Sequence, residues 1–86
     1  MISAAELDEL LLSLCGERWR KVARIAAKTY QVLEDRGVEI TGSTSAAFDA
    51  RMAVLVSTGQ LEAEGDIKRW RYGEVRLPGE RVEVAE

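Results

Sequence analysis

"GQLEAEGDIKRWRYGEVRLP", residues Gly59 to Pro78, is the stretch on which the fold turns. Leu61 and Ala63 alternate with Glu62 and Glu64, and Val75 and Leu77 alternate with Glu74 and Arg76. That two-residue period gives each half one apolar and one charged face, as a half-buried strand requires. Gly65 to Arg69 supply the connecting loop, so the stretch is expected to form a β-hairpin with basic residues near its tip.

The residues upstream change period. Phe48, Met52, Leu55 and Val56 recur at helical spacing, with Ser43 or Thr44 as the expected N-cap and Gly59 as the stop. Before them, Trp19, Val22, Ala23, Ala26, Tyr30 and Leu33, flanked by Ile25 and Val32, predict a long helix from Glu17 to Arg36 that Gly37 closes. "VEITGSTS" between the two reads as a short extended piece and a turn. Ser3 and Glu6 have capping-box spacing, and Leu7, Leu10, Leu11 and Leu14 predict a first helix over residues 4 to 15, ended by Gly16.

The expected class is therefore α+β, mostly α. Three helices followed by a β-hairpin is the order of a winged helix-turn-helix domain. Residues 1–78 form a single domain and residues 79–86 an acidic tail, where "RVEV" could add a strand but a chain end is prone to fray. Eighty-six residues leave room for one small core and no second functional unit. The hydrophobic share of 47% and charged share of 31% are ordinary globular values, which argues against disorder.

Composition excludes several chemistries. Without a histidine, and with Cys15 alone, the chain can assemble neither an internal disulfide nor an ordinary Cys/His zinc set, nor a Cys/His nucleophile pair. No cofactor, metal site or catalytic residue is expected, and the protein is read as a non-enzyme. Cys15 sits at a helix C-terminus beside leucines, where both the dipole and the apolar surroundings oppose a thiolate. "LLLSLC" looks superficially like a secretory segment. Glu6, Asp8 and Glu9 precede it and no cation does, so an unprocessed, cytoplasmic protein is expected, with no membrane association.

The surfaces decide between two functional classes. Twelve Lys plus Arg against fifteen Asp plus Glu give a net charge of -3, so any site for nucleic acid must be local. Base readout needs Arg, Lys, Asn or Gln on the third helix, which offers Arg51 and otherwise turns Ala46, Ala50, Ala53 and Ser57 outward. Small side chains let a partner approach closely, although alanine also suits a plain exposed face. The leading expectation is a protein-interaction module, binding a protein partner or forming a homodimer through this strip. Trp70, between Arg69 and Arg71, either folds back as core or stacks on a base or ligand, and is counted with the partner-binding residues. The alternative is a weak nucleic-acid binder using Arg20, Lys21, Arg24 and Lys28 on the second helix and Lys68 and Arg69 in the loop. Against it, Glu17 and Lys21 would pair four residues apart on a solvated helix face. "TGSTS" is read as N-capping rather than an anion site, since no Lys or Arg follows nearby.

The residues from "WRKVARIAAKTYQVLE" to the closing "GEVRLP" resemble a family of small bacterial domains of unknown function, the one numbered three-six-five-eight. The resemblance rests on Trp19 and Arg20, on Arg51, Leu55 and Gly59, on Leu61, Glu62, Gly65 and Asp66, and on Arg71, Glu74, Val75, Arg76 and Leu77. It covers about residues 17 to 78 and implies no activity. Relatives in that family often carry a further domain upstream. Alongside the resemblance, Arg51, Glu62, Arg71, Glu74 and Arg76 are expected to form an ionic cluster pinning the hairpin to the third helix, with Arg71 close to Glu74 or Glu62.

Overall fold

Local signals set three helices, and pairing between distant segments sets a small sheet. The structure is a computed structural model, which describes residues 2–65 and 73–78. Its elements are α1 (Ala4–Leu14), β1 (Arg20–Lys21), α2 (Val22–Asp35), α3 (Gly42–Ser57), β2 (Glu62–Glu64) and β3 (Glu74–Arg76). Most residues in these elements are helical, and the three strands form one antiparallel sheet in the order β1-β3-β2.

Helix α1 begins with the expected capping box. The Glu6 amide donates to Ser3 Oγ at 3.1 Å and the Ser3 amide donates to Glu6 Oε1 at 3.0 Å. The Ser3 amide, then the Ser3 hydroxyl, hold the Glu6 carboxyl below its ordinary range, because both hydrogen bonds favour the ionised form. Leu7, Leu10 and Leu11 are buried on the inward face.

The long helix predicted over Glu17–Arg36 is shorter than its periodicity suggests, because α2 starts at Val22. Arg20 and Lys21 are extended and pair with Val75 and Glu74 of β3, and the Val22 amide donates to the Gly73 carbonyl at 3.0 Å. Cross-strand hydrogen bonds to a segment far along the chain outweigh a helical turn here. The Glu17–Lys21 pair expected of a continuous helix is therefore absent, since its spacing exists only in helical backbone. After Asp35 the chain turns at Gly37, whose φ of 82° is the left-handed conformation that glycine adopts without strain.

Thr41, rather than Ser43 or Thr44, caps α3. Thr41 and Thr44 exchange backbone-to-hydroxyl bonds of 3.0 and 3.4 Å, a capping box with threonine in place of the usual glutamate. The helix runs sixteen residues and buries Phe48, Met52 and Leu55. Its chain turns again at Gly59, with a φ of 83° and the Gln60 and Leu61 amides both returning to the Leu55 carbonyl.

The core joins all three helices to the sheet. Leu11, Val22, Ile25, Phe48, Met52, Leu55, Leu61 and Val75 are each 2% exposed or less, and Tyr30 tilts its ring against Phe48 at 5.9 Å between centroids. Thr29, polar but fully buried, donates its hydroxyl to the Ile25 carbonyl at 2.8 Å. Register in the hairpin pairs Glu62 with Arg76, Ala63 with Val75 and Glu64 with Glu74, so Ala63 and Val75 share the inward face.

Candidate interaction surfaces

Two cross-strand rows cover the outer face of the sheet. Side chains alternate along a strand, so Val75 points inward while Glu74 and Arg76 point out. One row runs from Trp19 through Arg76 to Glu62: the Arg76 guanidinium lies 4.4 Å from the Trp19 ring centroid and its Nε donates to Glu62 Oε1 at 2.6 Å. The next row is Lys21, Glu74 and Glu64, set side by side by the register. Trp19 is thus half-buried under an arginine that is held in turn by a carboxylate.

Arg51 does not join this group. Its Nε and Nη2 donate to Asp8 Oδ1 and Oδ2 at 2.8 and 2.7 Å, a two-pronged bond that ties α3 to α1. The expectation of one ionic cluster is corrected accordingly: Arg51 projects towards α1, while Glu62 pairs with Arg76 within the hairpin. Arg71 lies outside the described residues, and with it the expected contact to Glu74 or Glu62. Lys68, Arg69 and Trp70 lie outside them too, as does the tail over residues 79–86. Sequence reading missed Asp8; a carboxylate immediately after the first buried leucine of α1 sits at the margin of the packed face, which is the available signal.

Helix α3 has two unlike faces. Phe48, Met52 and Leu55 enter the core, whereas Ala46, Ala50, Ala53 and Ser57 are all exposed. Asp49 and Arg51 are its two charged residues, and Arg51 is committed to Asp8. An outward face built this way offers close approach and apolar contact, with the exposed Asp49 carboxylate, one helical turn from Ala46 and Ala53, as the charge that a partner has to accommodate.

The basic residues divide between two elements. Arg20 and Lys21 stand on β1 and Arg24 and Lys28 on α2, all four exposed. Arg20 also reaches back to Gly16, where an added Cβ would lie 3.3 Å from its guanidinium. Cys15, the C-cap of α1, is 8% exposed, and burial pushes its thiol up to about 11 against a smaller opposing pull from Arg20. A thiol protonated at neutral pH and shut away from solvent is a poor nucleophile.

Two hollows are lined by described residues. One, of about 510 Å³, lies between the C-terminal end of α2 and the start of α3, with Leu7, Leu33 and Ala47 on its floor and Arg36 and Glu39 on its rim. The other, of about 590 Å³, is bordered by Leu12, Gln60, Leu77 and Pro78. Among the described residues no three His, Cys, Asp or Glu side chains are placed to hold a metal ion, and no helix is long and apolar enough to cross a membrane.

The chain is 33% identical over 76 residues to the uncharacterized protein YjeN of Escherichia coli K12, an alignment covering 86% of this chain and 73% of that protein. It belongs to the YjeN family. No family model matches the chain, and no solved structure does. Membership in the YjeN family thus brings no assigned activity with it, and the surfaces described above are where its function has to be sought.

Proposed function

We propose that the protein is a winged-helix-like interaction module without enzymatic activity, which docks a protein partner or a second copy of itself through the outward face of α3. The observation that carries this reading is the exposure of Ala46, Ala50, Ala53 and Ser57 on a sixteen-residue helix. A helix with apolar residues on both faces is ordinarily buried on both. The path helix, strand, helix, helix, strand, strand, with β3 central in the sheet, supports the winged-helix comparison. Membership in the small bacterial family numbered three-six-five-eight, a cytoplasmic setting and a contribution from Trp70 belong to the same proposal.

Sedimentation of the purified chain, alone and after affinity capture from its native lysate, tests the reading. The expected result is a dimer or a stoichiometric partner, dissociated by Ala50→Glu or Ala53→Glu with the melting temperature of the isolated chain unchanged. A monomer that captures nothing, or a complex indifferent to both substitutions, overturns it.

A further inference from the structure

Charge is distributed along this chain very unevenly. The sixteen residues from Arg18 to Leu33 hold Arg18, Arg20, Lys21, Arg24 and Lys28, five of the twelve cations, and none of the fifteen acidic residues. An acidic protein has thus gathered a local positive field on β1 and the first half of α2.

The placement is electrostatically uphill. Partial positive charge collects at a helix N-terminus, where acidic residues are favoured and cations are not. Helices α1 and α3 each start with a capping box, whereas α2 has no acidic residue in its first turn and no side-chain cap on its free amides. Arg24 and Lys28 are exposed, one turn apart, and Lys21 at the N-cap extends their line. Among the described residues the salt bridges are Asp8–Arg51 and Glu62–Arg76, and neither Arg24 nor Lys28 is within ion-pair distance of a described carboxylate. Lys21 has Glu74 beside it in register without forming a salt bridge. The helical Glu17–Lys21 pair that would have made this an ordinary solvated face does not exist, because the chain there is extended.

We infer that this cationic ridge, Lys21, Arg24 and Lys28, docks on the phosphate backbone of duplex nucleic acid. Seven residues of helix place its charges along about 10 Å, a length over which a duplex backbone presents several phosphates. Arg24 and Lys28 stand exposed on the helix, and the two described cavities are lined by other residues, so the described cations sit on open surface rather than in a pocket. Ala23 and Ala27 are its exposed apolar neighbours, too small to insert into a lipid surface. The Trp19 ring is covered by Arg76, so among the described residues the ridge has no free stacking platform for the bases of a single strand. Contact through phosphates alone is independent of sequence. This surface is separate from the α3 face, so either can fail while the other stands.

The test is fluorescence anisotropy of a labelled random-sequence DNA duplex titrated with the full chain across a salt series. Binding at low salt is expected to weaken with a log–log slope near about -3, as three phosphate contacts require. The Arg24→Gln/Lys28→Gln variant should flatten that slope by about 2, and Arg24→Glu/Lys28→Glu should abolish binding, with circular dichroism and melting confirming that both remain folded. Lack of duplex binding by the folded wild-type chain at low salt overturns the inference. So does an unchanged slope in the Gln variant, or loss of binding through Lys68→Glu/Arg69→Glu alone. Poly-glutamate or anionic vesicles bound more tightly than duplex would reassign the ridge to an acidic protein or a membrane surface and equally overturn it.

Discussion

Asp8 and Arg51 join α1 to α3 through two parallel hydrogen bonds of 2.8 and 2.7 Å, with both side chains half-buried. The guanidinium fork matches the carboxylate edge, and the favourable contact with Asp8 raises the Arg51 pKa further. Replacing either residue by Ala is expected to lower the melting temperature, and the double variant to lose little more than either single one. Arg51→Lys should not restore the loss, because an ammonium cannot supply two parallel donors. A thermal double-mutant cycle checks this; strictly additive losses would mean the pair is not coupled.

The stack of Arg76 on Trp19 predicts a spectroscopic change. In a Trp70→Phe background, Arg76→Ala should shift Trp19 emission to longer wavelength as water reaches the ring, and Glu62→Gln should shift it less, since the guanidinium remains over the indole. Equal spectra for the parent and the Arg76 variant would contradict the stacked geometry.

Burial of Cys15 fixes the sign of an alkaline transition. Its folded thiol titrates near 11 against an ordinary 9.0, so the unfolded chain releases the proton first. Stability is therefore expected to fall as pH rises from about 9 towards 11, and Cys15→Ala should remove that component. Alkylation by iodoacetamide at neutral pH should be far slower in the folded chain than in denaturant; equal rates would refute burial of the thiol.

Two glycines should respond oppositely to the same substitution. Gly59 has a φ of 83° with nothing within 4 Å of an added Cβ, so Gly59→Ala costs only the backbone strain, about 1–2 kcal/mol. Gly42 occupies the first turn of α3 in equally open space with an ordinary φ, and Gly42→Ala should stabilise by about 0.4–1 kcal/mol. Urea unfolding of the two variants measures both effects.

The core is tested at Phe48, which is 2% exposed and packs beside Tyr30. Phe48→Ala is expected to destabilise by about 3–5 kcal/mol in the same urea assay, a large share of the stability available to so small a domain. A loss below 1 kcal/mol would place the ring outside the core.

Apolar periodicity made the three helices and the two hairpin strands readable from the residues, because Leu7, Phe48, Met52, Leu55, Leu61 and Val75 each repeat at the period of the element that buries them. The strand at Arg20–Lys21 was not readable. Two residues are too short to show alternation, and Trp19 and Val22 satisfy a helical stripe equally well; only the partner strand, more than fifty residues away, decides between them. The Asp8–Arg51 bond was hidden for a related reason, since Arg51 had nearer carboxylates in sequence and only the packing of α1 on α3 selects among them. For the candidate surfaces, the Ala/Ser face of α3 and the cations of the second helix both followed from helical spacing, while the loss of the Glu17 partner to Lys21 showed only once the start of α2 was located.

The bond from the Leu77 amide to the Gly16 carbonyl, at 2.8 Å, joins the segment after the first helix to the end of the last strand. With β1 held by β3 alone, a chain emerging from the ribosome cannot complete its sheet until Glu74–Arg76 has emerged as well. The helices can form early from local contacts, but closing the long loop between Gly16 and Leu77 comes last, so the domain should fold as one cooperative event once β3 is available rather than piece by piece as each helix appears.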